Sequence, residues 1–320
     1  MRPFPPRRCA AVGVVAVLAL AGCVVQDTGS NELATEQRPA AAYFGYALVD
    51  CGYDDPLDDA AKTNYIDEIA TFSNLAQLCV FAPSDDIGER LDLMTSHGVL
   101  AMLSVQEIFF ESLPDPTTGS GVRLDLRADY VERWNEFTWV NERAIDASRV
   151  ATLYLVDEPY WNGVSVSDLT AAADVVEQTF ADIPTTIIEA WPALAVLKVP
   201  ESVDIVGFDH YAVADPANDP EYARELAVLK SKRSAAGQRI MLIMDAQWLP
   251  FYAESGLDEA SMGAVATSYL RVAQRDPEII AIVGYTWPGG LDDPQQKGTR
   301  QLPASVMAEH ERIGKLVTGK

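Results

Sequence analysis

The chain has 320 residues and carries 47 acidic against 24 basic side chains, a formal net charge of −23. So acidic a balance argues against nucleic acid or an anionic membrane surface as partner, because both are held through clustered Lys and Arg. The length admits one or two domains and a large core.

Arg2, Arg7 and Arg8 precede an apolar run at residues 9–20 that is short for a membrane span. Leu20-Ala21-Gly22-Cys23 resembles the lipobox of bacterial lipoproteins. That resemblance implies loss of residues 1–22, lipidation of Cys23, and an exported protein lipid-anchored to the bacterial cell envelope. Residues 23–40 are polar and read as a flexible tether. Residues 41–320 read as the folded domain. With Cys9 in the leader and Cys23 lipidated, Cys51 and Cys79 remain. Export permits a disulfide between them, and two separate buried thiols are the alternative. No C-x-x-C or other metal-ligand spacing occurs, so no metal is expected.

From residue 43 onward, apolar runs of strand length alternate with helical patterns. Residues 43–49 form a first strand, followed by an acidic loop at 50–59 and a helix carrying Tyr65, Ile66, Ile69 and Phe72. A second strand covers 75–81, a helix 85–97 with Gly98 as its stop, and a third strand 99–105. Residues 114–121 read as loop by composition and 125–146 as a long helix. The fourth strand is Leu153-Tyr154-Leu155-Val156, which stops abruptly at Asp157-Glu158-Pro159-Tyr160-Trp161. A helix at 165–182, a fifth strand at 185–188 and a sixth at 203–208 follow. Then come a helix at 220–236, a seventh strand at 240–244, a helix at 257–275, an eighth strand at 279–283 and a closing helix at 307–317.

Eight strands alternating with helices predict a parallel sheet with crossovers, and the length fits a single-domain (β/α)8 TIM barrel. A doubly wound sheet would want a Gly-rich phosphate turn. Neither G-x-G-x-x-G nor G-x-x-x-x-G-K-[ST] is present, and no cofactor is expected. In a barrel all strand exits face one mouth, so residues distant in sequence meet there.

Four of the six tryptophans, Trp161, Trp191, Trp248 and Trp287, fall within a few residues of strand exits. Indoles at a wet mouth suit the apolar faces of sugar rings, although rim packing accounts equally for one or two of them. Asp157, Glu158, Glu189, Asp209 and Asp245 lie at the same exits, with Glu107 nearby. Glycoside hydrolysis needs one protonated and one ionised carboxyl flanking the scissile bond. For Glu107 and Glu189 an ion-pairing or loop-capping role is the stronger expectation. His210 is expected to hydrogen-bond in the site. With only three histidines in the chain, a multi-histidine metal centre is nearly excluded.

Asp157-Glu158-Pro159 resembles the Asn-Glu-Pro of clan A glycoside hydrolases, and Met244-Asp245-Ala246-Gln247-Trp248 resembles their T-E-x-G-W. Asp209-His210-Tyr211 is similar to the exit of their sixth strand, and Trp287, close behind Tyr285, to the tryptophan after their eighth. The resemblance implies Glu158 as general acid/base, Asp245 as nucleophile, Tyr211 as its orienting group and Trp287 as the floor of a sugar subsite. Asp157, Trp161, Trp191, Asp209, His210, Trp248 and Tyr285 complete the expected substrate-binding set. Two departures stand out. Asp157 replaces an Asn donor with an acceptor. Asp245 is one methylene shorter than Glu and widens the gap between carboxyls, where retention needs about 5–5.5 Å. An inverting enzyme, a different assembly and an inactive barrel all remain open.

The sequence thus predicts a surface-anchored glycoside hydrolase acting on a poly- or oligosaccharide. The alternatives are a non-catalytic carbohydrate-binding lipoprotein on the same barrel, and a lyase or isomerase using the carboxylate cluster.

Overall fold

The computed structural model describes residues 37–59 and 61–320. Cys23, the expected leader at 1–22 and the first part of the tether lie outside the described residues. Strands β1 (Tyr43–Asp50), β2 (Leu75–Cys79) and β3 (Leu100–Ser104) pair in parallel, with helices α1 (Ile66–Ile69) and α2 (Gly88–Ser96) between them in the chain. After β3 the chain forms a short helix α3 (Gln106–Phe109) and an antiparallel hairpin, β4 (Phe110–Pro114) with β5 (Val122–Leu126). It re-enters the sheet as β6 (Val150–Asp157) and continues through β7 (Thr185–Ala190), β8 (Ile205–Asp209), β9 (Arg239–Asp245) and β10 (Ile279–Tyr285). The ring closes in the order β1-β10-β9-β8-β7-β6-β3-β2, a (β/α)8 TIM barrel.

The continuous apolar runs follow from burial on both faces. In β9, Met241 and Ile243 join Met102, Ile188, Ala281 and Val283 inside the barrel, while Ile240, Leu242 and Met244 pack outward against the helices. Helix α5 (Val166–Thr179) starts on Ser165, whose hydroxyl accepts the Asp168 N–H at 3.1 Å. Helix α6 (Pro220–Ser231) starts on Asp219, which accepts from Glu221 and Tyr222, with Pro220 in its first turn. Helices α7 (Met262–Arg275) and α8 (Ala304–Thr318) cover β9, β10 and β1.

The loop expected at 114–121 is the turn of the β4–β5 hairpin, whose two strands were not expected, and the long helix expected at 125–146 is corrected to a shorter one, α4 (Tyr130–Asn141). The hairpin strands pair only with each other, β4 mostly exposed and β5 mostly half-buried, so no strong apolar run marks them. Cys51 and Cys79 form a disulfide with Cα atoms 4.6 Å apart, tying the exits of β1 and β2 together.

Candidate active site

Asp157 and Glu158 are consecutive, and an extended strand would send their side chains to opposite faces. Glu158 instead adopts φ +45°, a left-handed conformation costly for a residue with a Cβ. The turn aims both carboxyls into one cavity at the barrel mouth, of about 300 Å³. Asp209, Asp292, Tyr154, Tyr211, Tyr285 and Gln77 line the same space. Among the described residues, four carboxyl groups face this cavity, and no Lys, Arg or His does.

Each acid is held differently. Asp157 Oδ1 accepts the Tyr154 hydroxyl at 2.5 Å, and its backbone N–H donates to Gln106 at 2.8 Å. Asp292 accepts the Tyr285 hydroxyl at 3.0 Å on both oxygens and Gln296 Nε2 at 2.8 Å. Glu158 and Asp209 hydrogen-bond to each other, carboxyl to carboxyl. Burial and then the charges of Asp157 and Asp209 push the Glu158 pKa up to about 10. Burial likewise raises Asp209, reinforced by Asp157. Two adjacent carboxyls, Asp209 buried and Glu158 half-buried, cannot both ionise cheaply, so the pair retains a proton at neutral pH. Burial raises Asp292 as well, but its bonds from Tyr285 and Gln296 favour the ionised form.

β6 and β10 sit four places apart in a ring of eight, so their exits lie on opposite walls of the mouth. Glu158 leaves one and Asp292 follows the other. Nothing in the sequence pointed to Asp292, which lies past the strand in Gly289-Gly290-Leu291-Asp292 and reads as a turn. Tyr154 was equally hidden inside an apolar run, where its hydroxyl was the only available signal.

Several expected site residues stand elsewhere. Asp245 is fully buried and is not on the cavity wall. Its carboxylate accepts the Ala212 N–H at 2.8 Å and the Tyr252 hydroxyl at 2.9 Å, and burial raises its pKa to about 7. With both oxygens engaged behind the wall, it is poorly placed to attack a ligand. Tyr252, not Tyr211, is the phenol bound to it; Tyr211 stands in the cavity against Tyr285, ring centroids 5.5 Å apart.

The four tryptophans do not line the cavity either. Trp287 is 1% exposed, packs on Tyr46 at 4.7 Å and donates to Glu68 at 2.7 Å, so it seals the barrel side instead of flooring a subsite. Trp248 bridges to Lys297 and bonds the Leu257 carbonyl. Trp161 packs on Gly119, where any Cβ would meet the indole at about 2.1 Å. Trp191 is half exposed and stacks on His210 at 4.7 Å. His210 Nδ1 pairs with Glu225 at 2.7 Å, away from the cavity wall. The aromatic surface of the cavity is therefore tyrosine.

Glu189 caps the loop after β6: its carboxylate accepts the N–H groups of Tyr160 at 2.9 Å and Trp161 at 3.3 Å. Glu107 lies 3.7 Å from Arg127. Among the described residues, no three His, Cys, Asp or Glu side chains are grouped so as to hold a metal ion.

No protein-family model matches the sequence, and no curated protein is similar to it. Solved structures share its fold. A glucosidase from Croceicoccus marinus superposes with a TM-score of 0.58 at 12% identity, covering 88% of this chain and 67% of that one. Xylanase 10B from Thermotoga maritima gives 0.53 at 13%, covering 88% and 97%. A β-glucuronidase from Ruminococcus gnavus gives 0.54 at 12%, with 86% of this chain spanning about half (51%) of that one. At such identities the likeness is one of fold: this barrel is built like those of glycoside hydrolases.

Proposed function

We propose that the cavity hydrolyses glycosidic bonds. The observation that carries this reading is geometric: Glu158, whose pKa burial and neighbouring acids push up to about 10, faces Asp292, which accepts hydrogen bonds from Tyr285 and Gln296, across one cavity. Glu158 gives its proton to the departing oxygen, and Asp209 holds that proton in place beforehand. Asp292, steadied by Tyr285 and Gln296, supplies the negative charge that attacks the anomeric carbon or activates water. This assignment moves the second role from Asp245, which is occupied structurally, to Asp292. A hexose ring fits a space of this size. Because the wall carries four carboxyls and no cation among the described residues, neutral and amino sugars are favoured over uronates.

The withdrawal of Asp245 from the cavity also supports a second reading, a barrel that binds oligosaccharide without cleaving it. Reducing-end release on a panel of β- and α-linked oligosaccharides separates the two. Turnover lost in Glu158→Gln supports hydrolysis, whereas binding with no turnover by the wild type supports the second.

Anchoring through Cys23 is part of the proposal, and the Cys51–Cys79 disulfide is consistent with an oxidising compartment. Metabolic labelling with a fatty acid, lost in Cys23→Ser, tests it.

A further inference from the structure

A side lobe of about 190 Å³ opens beside the main cavity and shares Gln77, Tyr154 and Asp157 with it as a common wall. Its far side is formed by Phe81, Ser104 and Gln106, among others. Phe81 is 55% exposed, unusual for a phenylalanine that follows a buried strand. It is not loose: the N–H groups of Phe81 and Ala82 both donate to Asp85, at 2.8 and 3.0 Å. The disulfide fixes the strand exit two residues earlier.

The two amides of the lobe are oriented in one sense, beside the Glu107 and Asp157 carboxylates, which line it as acceptors. Gln77 is 8% exposed, and its Oε1 accepts the Leu48 N–H at 2.9 Å. Gln106 Oε1 accepts the Asp157 N–H at 2.8 Å. Each amide therefore has its acceptor end committed to backbone and its NH2 end without a protein partner among the described residues. The Ser104 hydroxyl, on a residue 9% exposed, adds another group open to the lobe. These NH2 groups face the accessible space of the lobe, where a ligand hydroxyl can accept from them in place of water.

We propose that the side lobe is a second sugar subsite, in which one neutral sugar unit stacks on Phe81 and accepts hydrogen bonds from Gln77 and Gln106. An aromatic face and fixed donors are what a hydroxyl-rich ring with apolar C–H faces requires. The substrate would then be an oligosaccharide that fills both lobes, with adjoining sugar units on either side of the Asp157–Tyr154 wall. This inference rests on the carbohydrate reading of the main cavity, but it does not require turnover.

The test is calorimetric, on the Glu158→Gln protein, with β-1,4-linked glucose, xylose and mannose series of one to four units as probes. For the series that binds, affinity is expected to rise at least tenfold from one unit to two or three. In Glu158→Gln/Phe81→Ala that ratio is expected to collapse toward one. Binding that does not strengthen with chain length, or a ratio unaltered by Phe81→Ala, overturns the subsite. Turnover by the wild type is scored separately: its absence contradicts hydrolysis and leaves a chain-length dependence standing, and failure of every series to bind overturns both.

Discussion

Replacing Asp209 by Asn tests the proton-sharing pair at the heart of the cavity. The amide is close to isosteric, removes a like charge from beside Glu158, and can donate to the Glu158 carboxylate. Both changes favour ionisation of Glu158. Two unit charges about 4 Å apart interact by about 4 kcal/mol at an effective dielectric of about 20. At about 1.4 kcal/mol per unit, that is roughly 3 pKa units. Burial and Asp157 remain, so the Glu158 pKa is expected to fall by about 2–3 units from about 10, and to stay above an ordinary glutamate. The assay is a carbon-13 NMR titration of side-chain carboxyls in glutamate-labelled protein, with the Glu158 signal identified by its loss in Glu158→Gln. An ordinary Glu158 pKa in the wild type, or no movement in Asp209→Asn, would refute the reasoning. Stability follows the same sign. A carboxyl whose folded pKa is raised stabilises the fold below its unfolded pKa, and that contribution is lost as pH rises through the folded value. Glu158, Glu189 (about 8) and Asp245 (about 7) all act in this direction. The melting temperature should therefore decline between about pH 5 and pH 9, less steeply in Asp209→Asn.

Asp245→Asn puts an amide where a carboxylate accepts from both Ala212 and Tyr252. We expect a loss of about 1–3 kcal/mol in urea unfolding, because one buried donor goes unpaired; unchanged stability would return Asp245 to consideration as a free, reactive group. Removing the disulfide by Cys51→Ser with Cys79→Ser opens a link across 28 residues, worth about 3.5 kcal/mol in the chain-entropy treatment. The melting temperature should drop by roughly 5–10 °C in a calorimetric scan. Uronic-acid oligosaccharides should bind at least tenfold more weakly than their neutral counterparts at low salt, and the gap should narrow as ionic strength rises.

The barrel was legible because strands buried on both faces leave uninterrupted apolar runs, and all eight are where the sequence put them. Asp157 and Glu158 were visible for the same reason: a charge pair ending such a run is conspicuous. Direction was not. Asp245 also ends an apolar run, but its carboxyl is claimed by Tyr252, seven residues later, and by the backbone of Ala212, on another strand's exit. Trp287 looked like a mouth residue by position, yet its indole turns toward Tyr46, Phe72 and Glu68. Asp292 escaped because its place depends on a loop clamped by Gln296, whose Oε1 accepts the N–H groups of Leu291 and Asp292. Sequence spacing cannot encode such a fold-back.

The central claim concerns one proton on Glu158, and the most direct measurement compares wild type and Glu158→Gln on the same oligosaccharide panel, reading turnover and affinity together. The account predicts that the substitution lowers kcat by about 10²–10⁴-fold while the oligosaccharide still binds. A Glu158→Gln protein that turns over at the wild-type rate would contradict it.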